Sequence, residues 1–333
     1  GKKVGSLFRN KIVTGIQVDT IGKEQDSGET TSTTTEDRPA RRAGPRQMFA
    51  SFAYRDFVYL WLGQITHAAA LWLEQTARPL LILALTGSPV HLGMVILVRT
   101  IPSVAFGLIA GVIADNFDRR TILVATKVVV LVLSIVFAII VVMGWIQIWH
   151  VYVFSFLRGT TMAFDQPARR ALIPSIVPMN LVTNAMTLST GSMTSMRIVG
   201  AAGAGLLMGF FGFSAPFIAI AIVYIPALIF TWMLRIRDEK RPGYQGIHKM
   251  GSDFVEGFRF AWQVPAVRGV LIIGVGYFLF GMAFMQVFAP LFAKGEKIFN
   301  IGDAGFGFMM SVSAVGGVIG ALALAAVNPN RHR

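Results

Sequence analysis

From Phe57 onward the chain alternates long apolar runs with short polar breaks. A helix that crosses a ~30 Å hydrocarbon core at 1.5 Å per residue needs about twenty mainly apolar residues. Runs of that kind lie at 57–85, 90–113, 120–144, 148–166, 181–210, 214–236, 268–293 and 302–327, and Gly87-Ser88-Pro89 and Gly212 end two of them cleanly. The pattern predicts an all-α polytopic membrane protein with eight spans. Residues 1–50 are polar and basic, with a Ser/Thr/acid-rich stretch from Asp26 to Thr35 and no helical or strand period, so they read as a disordered cytoplasmic tail or a docking arm. Six spans fill 51–237, and a linker follows at 238–267. Phe254, Phe258 and Trp262 recur there at helical spacing, as in an amphipathic helix on the membrane surface. Two more spans fill 268–333.

Charge placement sets the orientation. Ten Lys or Arg precede Phe57, Arg119–Arg120 and Arg169–Arg170 follow spans two and four, and seven basic residues from Arg235 to Arg268 follow span six. The opposite loops hold only Lys294 and Lys297, so both termini are expected in the cytoplasm of a cell with this protein in its inner membrane. Composition agrees: 54% of residues are hydrophobic, 14% are charged, and the mean hydropathy is +0.62. The net charge of +13 lies in loops rather than on one basic face, which argues against nucleic acid and for membrane lipids as the surrounding partner. There is no cysteine, and no two histidines stand at metal-ligand spacing, so neither cofactor nor metal is expected.

The turn GLIAGVIADNFDRR (107–120) is the most informative stretch. Gly107 and Gly111 form a smooth stripe suited to close helix packing. Asp115 stands where it could cap the next helix. The spacing of Gly111, Asp115, Arg119 and Arg120 resembles the signature between the second and third helices of major facilitator superfamily transporters, with Asn116 in place of a basic residue and Asp118 in place of a glycine. FDQPARRALIPSIVP (164–178) with Asn184-Ala185 resembles the turn after helix four in the enterobactin-exporter-like and macrolide-efflux-like branch. Thr86-Gly87-Ser88 and Pro290-x-Phe292-Ala293 also sit where that branch has them. The resemblance implies a major facilitator fold: a complete six-helix N-terminal bundle, a linker, and the first two helices of the C-terminal bundle. The stretches 92–120 and 306–333 share a leading glycine, a glycine-rich middle and a basic end, as expected of the repeats from which secondary transporters are built.

No nucleotide-binding loop or nucleophile–base pair stands out, so a transporter rather than an enzyme is expected. Ionisable residues inside spans are costly and therefore functional candidates. They are Glu74 and Arg78, Arg99, Arg158 and Arg197, with Asp165 at the inner end of span four. Glu74 and Arg78, four apart, share a helix face and either fix packing as a pair or make Glu74 a proton-coupling carboxylate. Four arginines against one buried acid, if all face inward, suit an anionic or zwitterionic small molecule better than a cationic drug. Arg158 resembles the family's helix-four arginine. Gly200, Gly203 and Gly205 resemble the helix-five glycine element of antiporters, with Ala201 in place of proline. The resemblance implies proton-coupled export of drugs or siderophore-like metabolites by alternating access. It also implies that Asp115 and its arginines latch the two halves at a cytoplasmic gate. The alternative is a transport-inactive structural subunit with a membrane-protein partner, which follows if the chain ends at Arg333. In that case spans seven and eight cannot close a second bundle, and Gly305, Gly316, Gly317 and Gly320 are expected against protein.

Overall fold

The computed structural model describes residues 49–235, 259–282, 284–294 and 301–326. The expected tail, nearly all of it before residue 49, and most of the linker, including Phe254 and Phe258, lie outside the described residues. Everything described is helix, turn or coil, with no strand among the described residues. The helices are α1 (Arg55–Thr86), α2 (Pro89–Asn116), α3 (Arg119–Val142), α4 (Ile148–Ile176), α5 (Val182–Phe211) and α6 (Ala215–Trp232), then α7 (Pro265–Gly276), α8 (Ala289–Lys294) and α9 (Gly302–Ala326). Among the described residues, five helical segments are long and apolar enough to cross a membrane: α1, most of α2, α3, α5 with the short turn before it, and α6.

Two expected spans differ from what forms. Span four does not end at residue 166: α4 runs to Ile176 through Pro167 and Pro174. Arg169 and Arg170 therefore lie inside a helix rather than on a turn. Beside Pro174, Arg119 of α3 donates to the Ala171 carbonyl at 3.1 Å and ties this part of α4 to α3. Span seven is not one α-helix. Tyr277–Met282 and Phe284–Phe288 are π-helical and separate α7 from α8. Gly274, Gly276 and Gly281 lower the local preference for α geometry, and the rings of Phe284, Phe288 and Phe292 lie 6.1–6.3 Å apart along the wider turns.

α1 lies centrally, packed on α5 and α6; α2 packs on α4, α3 on α6 and α4, and α9 on α5. Glycines permit three of these approaches. A Cβ on Gly159 of α4 would strike the Arg99 carbonyl of α2, one on Gly200 of α5 would lie 2.6 Å from Trp72 Cβ of α1, and one on Gly205 would lie 2.8 Å from Gly307 Cα of α9. The span-eight glycine against protein is thus Gly307. At Gly316, Gly317 and Gly320 a Cβ would meet open space, and at Gly305 only the neighbouring Ile301. Gly107, Gly111 and Gly203 are likewise open, so the expected close-packing stripe at 107 and 111 has no described neighbour.

Apolar side chains gather in two clusters at opposite ends of the first six helices. One centres on Leu80, Leu92, Phe137, Val151, Phe217 and Tyr224, the other on Phe57, Leu60, Leu123, Leu172 and Leu234. Between and beside them the helices present buried polar residues: Gln64, Glu74, Lys127, Arg158 and Asp165. In low dielectric such groups must find partners, and the partners define the site.

Candidate functional site

Glu74 of α1 is the centre of the first ionic cluster. Arg78, one turn along the same helix, forms an ion pair with it. Arg158 of α4 binds it from the other side, with Nη2 on Oε2 and Nε on Oε1 at 3.3 Å. Arg158 Nη2 also donates to Tyr224 Oη of α6 at 2.8 Å, and its guanidinium lies 5.2 Å from the Tyr224 ring. The predicted neutralisation of Glu74 by Arg78 forms; the sequence does not show that Arg158, eighty-four positions away, completes a fork.

Asp165 of α4 is the centre of the second. Lys127 of α3 lies 2.5 Å from its Oδ1, and Arg169 forms an ion pair with its other oxygen. Lys127 Nζ is also 3.2 Å from Nδ1 of His67 on α1, and Thr126 Oγ1 reaches Oδ1 at 3.3 Å. The His67 ring meets Tyr224 edge-on at 5.7 Å, so one fully buried tyrosine touches both clusters. Sequence reasoning passed over Lys127, His67 and Tyr224, and it assigned Arg169 to a loop. Lys127 is the one the rule for ionisable residues in apolar runs would have found.

The second cluster opens onto a cavity of about 440 Å³ bounded by α1 to α5. Its polar wall includes Gln64, His67, Asp165 and Ser189, and Leu71, Met162, Met186 and Met193 supply apolar surface. Four guanidiniums line it, but not the four expected. Arg99 and Arg158 do, Arg169 and Arg170 join them, and Arg78 and Arg197 do not. Arg78 borders a small void with Glu74, and Arg197 sits 5.1 Å from the ring of Trp72. Gln64 Nε2 holds the Ser189 carbonyl at 3.0 Å and Trp72 Nε1 the Met193 carbonyl at 3.2 Å, which fixes α5 against α1 on this wall.

At the turn between α2 and α3, Asp118 rather than Asp115 is the N-cap, accepting from Arg120 N and Thr121 N at 3.4 and 3.0 Å. Asp115 belongs to the last turn of α2. Arg119 is buried and Arg120 donates to the Trp232 carbonyl at 2.7 Å, joining α3 to the end of α6. These arginines thus bond backbone carbonyls within the first six helices, Arg119 at Ala171 and Arg120 at the end of α6. Of the helix-five glycines, Gly200 and Gly205 are packing contacts to α1 and α9.

Residues 46–330 match the family model described as transmembrane secretion effector. The chain is 24% identical over 257 residues to a staphyloferrin A transporter of Staphylococcus aureus (strain NCTC 8325 / PS 47), covering 76% of this chain and 62% of that one. It is 26% identical over 236 residues to macrolide efflux protein A of Streptococcus pyogenes, covering 70% and 57%. It therefore spans about three fifths of the length of these curated relatives. Superposition on the crystal structure of the POT family transporter PepTSo gives a TM-score of 0.49 at 16% identity, over 80% of this chain and 52% of that one.

Proposed function

Because the chain belongs to the major facilitator family of transmembrane secretion effectors, a family of multi-pass membrane transporters, we propose that it exports drugs or siderophore-like metabolites in exchange for protons, by alternating access. The observation that carries this reading is the pair of buried ionic clusters beside one cavity, set between two apolar clusters at opposite helix ends. An alternating-access carrier needs a binding space that either end can seal, and it needs groups whose proton count can change within that space.

The two clusters differ in that second respect. A guanidinium stays protonated in proteins, so Glu74 between Arg78 and Arg158 is a fixed lock. Lysine, histidine and aspartate all exchange protons, and Asp165, Lys127 and His67 form a contiguous set of them with two members on the cavity wall. The coupling proton is therefore assigned to this set, with Glu74 holding α1 to α4. Tyr224 transmits a change at His67 to Arg158. The basic ends of the helices face the cytoplasm, and Gly111, Asp115, Arg119 and Arg120 form the gate there. The 51–237 bundle, the 238–267 linker and the 268–333 segment are its parts.

The test is flux in proteoliposomes containing the protein, with labelled macrolide and labelled siderophore as cargo. An imposed pH gradient should drive accumulation of at least one of them, and a protonophore should abolish it. Flux no different from empty liposomes for every cargo would overturn the proposal.

A further inference from the structure

The ion-pair pattern leaves a remainder on the cavity wall. Asp165 is committed to Lys127 and Arg169, and Arg158 is committed to Glu74. Arg99 and Arg170 line the same cavity, and among the described residues no carboxylate pairs with either. Arg170 is exposed, where water serves it. Arg99 is half-buried, and its one hydrogen-bond partner among the described residues is the Met162 thioether at 3.5 Å. A thioether is a weak acceptor, so most of the five N–H donors of that guanidinium lack a protein partner. Nothing about the backbone lets Arg99 withdraw. Gly159 brings α4 directly against the Arg99 carbonyl, and Ser103 Oγ on the next turn donates to the Gly159 carbonyl at 2.8 Å.

From this we infer that Arg99 is the anchor for an anionic group on the transported molecule, a carboxylate or sulfonate, whose apolar body lies against Leu71, Met162, Met186 and Met193. An uncompensated cation in low dielectric is unfavourable, and a bidentate oxyanion satisfies both its charge and its donors. The cavity wall holds one further group of the right kind: Oγ of Ser189 is buried, has no hydrogen-bond partner among the described residues, and can donate to an anion. Methionine-rich walls adapt to bodies of different shape, and about 440 Å³ is the size of a drug-like ligand site. A cation would meet four guanidiniums and a single, already paired carboxylate.

The inference rests on the proposed transport only for the statement that the bound molecule is moved, so its test is an equilibrium one. The full chain in phosphatidylcholine nanodiscs is titrated with tritiated 1-naphthaleneacetate, and 1-naphthaleneacetamide and 1-naphthylmethylamine compete, giving one body with three head groups. Saturable binding of the acid is expected, with both competitors at least tenfold weaker. Arg99→Met should lose at least tenfold in affinity, and Arg99→Lys, which keeps the charge without the fork, should fall between. Replacing part of the lipid by phosphatidylglycerol should leave the affinity unchanged. Strong displacement would assign the site to a phospholipid headgroup instead and overturn the cargo assignment. Absence of saturable binding, tighter binding of the amine, or an unchanged affinity in monodisperse Arg99→Met or Arg99→Lys protein would each overturn it as well. Loss of pH-driven flux with the binding intact would count against the transport reading alone.

Discussion

The Glu74 and Asp165 clusters have the same outline and different chemistry. Each places one carboxylate between two cations, one contributed by its own helix four residues along and one by another helix. Around Glu74 both cations are guanidiniums, the third partner is a phenol, and the carboxylate itself borders a void of only about 20 Å³. Around Asp165 one cation is an ammonium, an imidazole lies within reach of it, and the carboxylate faces the large cavity. Under the proposed proton coupling, the difference that matters is whether the cations around the carboxylate can change protonation. An arginine–carboxylate fork is held by directional bonds and fixed charge, which suits it to joining α1 and α4.

The largest expected effect tests the lock. Glu74→Gln leaves two buried guanidiniums without a counter-ion, and breaking a buried pair in this way costs about 3–5 kcal/mol. Thermal unfolding in detergent should show a clear loss of stability, larger than that of Asp165→Asn, where Lys127 can shed its proton. The reverse order would break the comparison. Next in size is Arg78→Met, which leaves Glu74 bound to Arg158. The loss should be near 1.5–3 kcal/mol, the range for a hydrogen bond to a charged group, and the same assay should place it below Glu74→Gln. Smallest is Tyr224→Phe, which removes one 2.8 Å bond to Arg158 while keeping the ring against His67. It should cost about 1.5 kcal/mol in stability, the low end of the same range. A larger change in pH-driven flux than in stability would show that Tyr224 links the clusters rather than merely packing between them.

Much of this was legible in the sequence because hydrophobic length is a direct physical constraint. Spans one, two, three, five, six and eight fall within a few residues of the helices that form, and the Glu74–Arg78 pair follows from helical spacing alone. The failures have particular causes. Lys127 lies two turns into the apolar run of α3 and is not singled out, although a lysine inside a span is costly. Span four ends at residue 166 in the sequence pattern and 164–178 resembles a turn, which moves Arg169 out of the helix that buries it. Asp118 directly precedes the apolar run of α3 and carried the better capping signal, but the spacing of the signature drew attention to Asp115. The fork on Glu74 and the cavity partners of Arg99 depend on which faces of α1, α2 and α4 meet. Periodicity does not specify that.

The division of labour between the clusters is tested most directly by measuring two transport modes on the same proteoliposomes, pH-gradient-driven accumulation and gradient-free exchange of labelled for unlabelled cargo. Exchange needs binding and alternation but no net proton movement. Asp165→Asn is expected to lose gradient-driven accumulation by about a hundredfold, or roughly 2.7 kcal/mol, while exchange stays within a few-fold of the parent protein. Whatever folded Glu74→Gln protein remains is expected to keep the ratio of the two modes. Loss of gradient-driven accumulation with intact exchange in Glu74→Gln, and not in Asp165→Asn, would contradict that division of labour.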